Sequence, residues 1–235
     1  MADFTMTIDG KAVSGKTTAG VINPAIGKVF AQVPECTKEQ LDQAMSAAAR
    51  AFPAWSRDVG LRQKVLLDCA AAIQKKSEGL APLLTQEQGK PLAKAGEEIF
   101  ASSIWFQYTA SLDIPVDVVQ DDEKARIEVR RRPLGVVAAI TPWNYPLLLA
   151  VWKIAPSLLA GNTVVIKPSP FTPITTLMLG EILREVVPPG VVNVVSGGNE
   201  LGSWMTSHPV PRKISFTGSV ATGKKVAASA APDLK

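Results

Sequence analysis

The chain has 235 residues, 46% hydrophobic and 20% charged, with a formal net charge of +4. That length can bury one substantial core, and the composition excludes a disordered, collagen-like or membrane-spanning polypeptide. The only dense basic cluster, Arg130-Arg131-Arg132, has no interleaved aromatics, so no nucleic-acid partner is expected. Two cysteines and one histidine make neither a disulfide framework nor a metal site. The amino terminus, MADFTMTIDGKAV, shows no basic segment followed by an apolar core, so no signal peptide is expected. Leu147 to Ala160 is too short to cross a bilayer and is interrupted by Lys153 and Pro156. A soluble, cytoplasmic protein without a membrane partner is the expectation.

In chain order, residues 4–33 alternate turn signals (Asp9-Gly10, Ser14-Gly15, Asn23-Pro24, Ile26-Gly27) with short β-prone pieces. These predict small strands and hairpins at the edge of the domain. Thr37-Lys38-Glu39-Gln40 is a capping box that opens an amphipathic helix through Ala51. Further helices are predicted over Leu61 to Ser77, Leu80 to Gln88 and Leu92 to Leu112. Residues 114–120 and 125–132 flank Asp121-Asp122-Glu123 as extended runs, and Ile127 and Val129 alternate with charged neighbours. That pattern predicts a hairpin with one wet face.

From Val136 the rhythm changes to strand, helix, strand, helix. Strands are predicted near 136–140, 163–167, 191–195 and 213–217, with helices near 147–159, 173–185, 199–206 and 219–230. Such alternation implies a doubly wound α/β fold with a parallel sheet. The stretch from Pro133 to Ser169 organises the rest. Val136 to Ile140 and Thr163 to Lys167 read as strands buried on both faces. Leu147 to Leu159 reads as the buried helix between them, stopped by Gly161-Asn162. Ligands bind such sheets at the carboxyl ends of the strands. There the sequence places Trp143, Asn144 and Lys167.

Asn144 sits on a turn stiffened by Pro142 and Pro146. Its amide suits a donor to an oxygen that gains charge, and equally a turn residue capping the next helix. Lys167 ends an apolar strand and reads either as a ligand group or as a charge escaping to solvent. Phe216-Thr217-Gly218-Ser219 falls at a strand-to-helix turn, where Ser219 and free helix amides make an anion site. Residues 218–225 nearly match the phosphate-binding loop G-x-x-x-x-G-K-[ST], but Lys225 stands where the magnesium-binding hydroxyl is required. His208, in Ser-His-Pro, reads as a loop residue, and Cys36 and Cys69 read as poor nucleophiles.

The segments PWNYP (142–146), GNTVVIKPSPFTP (161–173) and KISFTGS (213–219) closely resemble the aldehyde dehydrogenase superfamily, in that order and spacing. The resemblance extends more loosely from about Val21 to the last residue. It implies a Rossmann-like, doubly wound sheet with a helical amino-terminal region and a protruding hairpin. The implied division is 1–112 as amino-terminal strands and helices, 113–132 as an oligomerisation hairpin, and 133–235 as the cofactor-binding core. A homodimer or homotetramer, an aldehyde substrate, and NAD or NADP as cofactor are implied with it. The implied cofactor residues are Ile140, Thr141, Pro142, Trp143, Asn144, Lys167, Pro168, Ser169, Pro170, Gly218 and Ser219, with Asn144 also catalytic as the oxyanion donor. Many NAD-preferring relatives carry a glutamate where Pro170 stands, so NADP is expected to be tolerated or preferred. In the family a cysteine thiolate attacks the aldehyde and a glutamate activates the hydrolytic water. Their positions are expected beyond Lys235, so this chain reads as the amino-terminal part of such an enzyme, inactive alone. A stand-alone dinucleotide-binding or interaction module is the alternative.

Overall fold

A computed structural model describes residues 4–235; the first three residues of the amino-terminal segment read above lie outside the description. The amino-terminal strands are β1 (Met6–Ile8), β2 (Lys11–Val13), β3 (Thr17–Asn23) and β4 (Lys28–Glu35). Four helices follow: α1 (Lys38–Trp55), α2 (Val59–Lys75), α3 (Ser77–Gln88) and α4 (Leu92–Ala110). A hairpin of β5 (Asp117–Asp121) and β6 (Arg126–Val129) leads into β7 (Val136–Ile140), α5 (Pro146–Leu159), β8 (Thr163–Lys167) and α6 (Ile174–Leu183). The chain continues through β9 (Val192–Val194), α7 (Asn199–Ser207), β10 (Lys213–Phe216) and α8 (Val220–Ala230).

The central sheet has the order β10-β7-β8-β9-β1-β2. Its first four strands run parallel, and β1 and β2 extend it antiparallel at the far edge. The sequence anticipated edge hairpins but not that one of them joins the main sheet; β3 and β4 pair separately. Val136 to Ala139 and Thr163 to Lys167 are buried, as strands covered on both faces must be. The chain steps from β7 to β8 to β9 on one side and then returns to place β10 beside β7. Right-handed crossovers therefore put α5 and α6 on one face and α7 on the other. The α2, α3 and α4 helices pack outside α5 and α6, while α1 lies against β7, β8 and α7.

Local signals fix several boundaries. The capping box at α1 forms as the sequence predicts: Thr37 Oγ1 accepts from the Gln40 amide at 3.2 Å, and Gln40 Oε1 accepts from the Thr37 amide at 3.0 Å. Gly161 takes φ of 87°, the left-handed stop after α5. Asn162 then turns its Oδ1 to the amides of Leu134 and Gly135, at 2.7 and 3.0 Å, and so pins the entry to β7. The hairpin differs from its predicted form. Val118, Ile127 and Val129 are 49%, 47% and 51% exposed, so both of its faces are accessible rather than one. A ribbon of two strands has no third layer of its own to cover an apolar face.

Candidate functional site

Parallel pairing brings three strand ends into line: Phe216 of β10 beside Ile140 of β7, and Ile140 beside Lys167 of β8. Between β7 and β10 the direction of chain progression reverses. Adjacent connections leave on opposite faces at such a point and open a crevice. A cleft of about 750 Å³ lies there, and Thr141, Pro142, Trp143, Asn144, Lys167, Ser169, Pro170, Gly218 and Ser219 all line it. Ile140 and Pro168 stand behind this surface. Ile140 is the last paired residue of β7, and buried Pro168 offers its carbonyl to Lys167 Nζ at 3.0 Å.

Lys167 does not escape to solvent. It is 3% exposed, and the Thr141 amide continues the β7–β8 ladder onto its carbonyl at 3.1 Å. Burial pushes its ammonium down to about 8. One of its three donors is used within the described residues, which leaves hydrogen-bonding capacity at the cleft wall. The neighbouring Thr141 hydroxyl is buried and has no hydrogen-bond partner among the described residues. Around Gly218 the finding is more specific than expected. A Cβ there would sit 2.5 Å from the Phe216 ring, so glycine makes room for that ring. Ser219 is partly committed already: its Oγ accepts from the Thr222 amide at 3.2 Å and caps α8. The earlier amides of that first turn, which no helical carbonyl can reach, remain as donors on the rim.

Trp143 and Asn144 are both exposed, and Trp143, at 55%, is cleft wall rather than core. The helix-capping role open to Asn144 is not the one it plays. Glu98 Oε1 accepts from the Leu147 and Leu148 amides at 3.0 and 3.1 Å, and Leu149 donates to the Tyr145 carbonyl at 3.0 Å. The Asn144 side-chain amide therefore has no hydrogen-bond partner among the described residues. Asn144 also borders a second cleft, of about 450 Å³, formed with Lys90, Lys94, Glu97, Tyr145 and Leu148. It is the residue where two depressions meet.

Sequence reasoning passed over several neighbours. Phe171, Gly198 and Asn199 line the main cleft from the turns after β8 and β9. Lys153 of α5 donates to Thr217 Oγ1 at 2.8 Å and to Ser215 Oγ at 3.3 Å, tying the helix to the β10 turn. Burial, with Lys213 nearby, pushes its ammonium down to about 8. A lone lysine in an otherwise apolar helix was the available signal. His208 bonds Asp42 at 3.1 Å, away from the cleft. Both thiols are buried and free; burial raises Cys36 to about 12 and pushes Cys69 higher still, so neither is a ready nucleophile. Among the described residues no cluster of side chains could hold a metal ion, and no helix is long and apolar enough to cross a membrane.

A parallel sheet with this strand order and a polar cleft at its reversal point defines a doubly wound, Rossmann-like α/β protein. Residues 11–235 match the aldehyde dehydrogenase family, and the chain belongs to it. It is similar to an aldehyde dehydrogenase, LUC3, of Fusarium sp., with 40% identity over 99% of this chain and 50% of that protein. Among solved structures it resembles betaine aldehyde dehydrogenase from Staphylococcus aureus in complex with NAD+, at 36% identity and a TM-score of 0.94, over 100% of this chain and 50% of that one. An NADP-dependent enzyme from E. coli is similar at 36% identity and a TM-score of 0.95, again over 100% and 50%. The chain thus spans about half the length of the relatives it matches.

Proposed function

We propose that this chain is the cofactor-binding part of an NAD(P)-dependent aldehyde dehydrogenase, with Asn144 as the donor to the substrate oxygen. The observation that carries the reading is the free Asn144 amide on a braced turn where the two clefts meet. A dinucleotide fits the main cleft: Lys167 keeps unused donors, the Thr141 hydroxyl lacks a partner, and α8 presents first-turn amides. In this reading Lys167 and Ser169 hold the ribose hydroxyls of the adenosine half. Gly218, Ser219 and the start of α8 take the pyrophosphate, while Thr141 to Asn144 border the nicotinamide end. Bound there, the cofactor supplies the hydride acceptor.

The Asn144 amide donates to the aldehyde oxygen as it becomes anionic, a contribution of about 3–4 kcal/mol to the barrier. Cys36 and Cys69 are buried with raised pKa values, so the attacking thiolate is assigned, together with the general base, to the rest of the subunit, this chain spanning about half the length of its relatives. The chain alone is accordingly inactive. Pro170 is exposed in the cleft, and no carboxylate is among the lining residues, so nothing there repels a 2′-phosphate. This supports use of NADP as well as NAD. Trp105, Tyr108 and Trp152 cluster with ring centroids 5.6 and 5.2 Å from Trp105. That aromatic surface on α4 and α5 favours an apolar aliphatic or aromatic aldehyde. The exposed valines and isoleucine of the β5–β6 hairpin support its role as a homo-oligomer contact, in a cytoplasmic protein without nucleic-acid or membrane partners. The test is aldehyde-dependent reduction of NAD and NADP by a polypeptide that carries these residues together with the rest of the subunit. Turnover that falls at least a hundredfold on Asn144→Ala supports the reading, and an active subunit indifferent to that change refutes it.

A further inference from the structure

The turn that carries Asn144 leads into α5, which has no cap of its own: Tyr145 occupies the cap position and gives no side-chain hydrogen bond. Its support comes from two distant residues. Glu98 of α4 uses Oε1 for the Leu147 and Leu148 amides and pairs its other oxygen with Lys90 Nζ. Lys90, from the turn between α3 and α4, also donates to the Asn144 main-chain carbonyl at 3.1 Å and lies 4.1 Å from the centroid of the Tyr145 ring. The side chains of Lys90 and Glu98 are only 10% and 0% exposed. The ammonium is thus met by a carboxylate, a carbonyl and a ring face, which together match its three donor directions.

Resting on the function proposed above, we propose that Lys90 is a positioning residue for the reaction: locked by Glu98, it fixes the Asn144 main chain and so aims the free Asn144 amide at the reacting oxygen. Capping α5 needs only the carboxylate. A cation is needed to neutralise that buried carboxylate and, alone of the two, it touches Asn144 itself. A donor displaced by an ångström loses most of its value to a developing charge, so the brace should register in turnover more than in cofactor affinity.

Replacing Lys90 alone would strand the Glu98 charge, so the informative variant is Lys90→Met combined with Glu98→Gln, which keeps an acceptor for the α5 amides. Two readouts separate the brace from the enzyme reading. In the purified protein, hydrogen exchange of the Leu147 and Leu148 amides is expected to be at least tenfold faster in the double variant than in Glu98→Gln alone, while 136–140 and 163–167 are unchanged; equal exchange at Leu147 and Leu148 in the two variants overturns the proposal whether or not the protein is an enzyme. In the complete subunit, kcat is expected to fall ten- to hundredfold with KM for NAD(P) within about twofold, and adding Asn144→Ala is expected to cost less than threefold more. Full multiplicativity with Asn144→Ala, or an unchanged kcat, contradicts the proposal. Absence of turnover in the wild-type subunit contradicts the enzyme reading instead and leaves the exchange result to decide the brace.

Discussion

The turns that leave β7 and β8 are held from outside, whereas the turn that leaves β10 holds itself. After β7, Glu98 of α4 takes the first amides of α5. After β8, Glu87 of α3 does the same for α6, accepting from the Ile174 amide at 2.6 Å, the Thr175 amide at 2.9 Å and the Thr175 hydroxyl. Both residues are buried, each 2% exposed. After β10 the exposed Ser219 caps α8 from the cap position itself. Buried remote braces make two walls of the cleft depend on the α3–α4 pair, while the third wall depends only on its own sequence. Loss of a remote brace should therefore be costly, with a pH dependence at Glu87, and loss of the local cap mild.

The largest effect is expected at Glu87. Glu87→Ala strands two buried amides and a hydroxyl, and is expected to cost roughly 4 kcal/mol of stability in denaturant unfolding. A loss below about 1 kcal/mol would mean the loop after β8 does not rely on it. Asn144→Ala comes next, at about 3 kcal/mol of barrier in the complete subunit and almost nothing in unfolding free energy, since its amide has no partner to lose. The pH profile sharpens the contrast. Burial raises the Glu87 carboxyl from its ordinary 4.5 to about 7, so the folded state binds more protons than the unfolded one between those values. Its contribution to stability is whole below about pH 4.5 and is lost as pH rises to about 7. Glu87→Gln should flatten that part of the stability curve, and Ser219→Ala should leave it intact. Ser219→Ala itself is expected to cost about 1 kcal/mol. Smallest is Ile127→Lys on the exposed hairpin: within about 0.5 kcal/mol on the folded subunit, yet enough to weaken self-association in analytical ultracentrifugation.

The same contrast governs how much could be read from the sequence. The Thr37 cap was legible because donor and acceptor lie within a few residues of each other, as were the strands of Val136 to Ile140 and Thr163 to Lys167; the sequence marks Ser219 as an anion site, and its capping of α8 came from the structure. Glu87 and Glu98 were not legible, since their partners lie 87 and 49 residues away and a glutamate inside a helix ordinarily faces water. The strand-end positions of Asn144, Lys167 and Ser219 could be placed from the βαβ rhythm, and they do come together at the cleft. Whether Lys167 faced solvent could not be read, because an apolar strand ending in lysine looks the same in either case. The hairpin's alternation showed an apolar face without showing that it is left exposed among the described residues.

The most direct test of the cofactor half-site is calorimetric titration of NAD and NADP into the purified protein and into its Lys167→Gln variant, across pH 7 to 9. Saturable binding is expected, at least tenfold weaker in the variant. For the wild type, affinity should decline as pH rises through about 8, where the depressed Lys167 ammonium loses its proton. Binding with the same affinity in the variant, or no binding of either nucleotide, would contradict it.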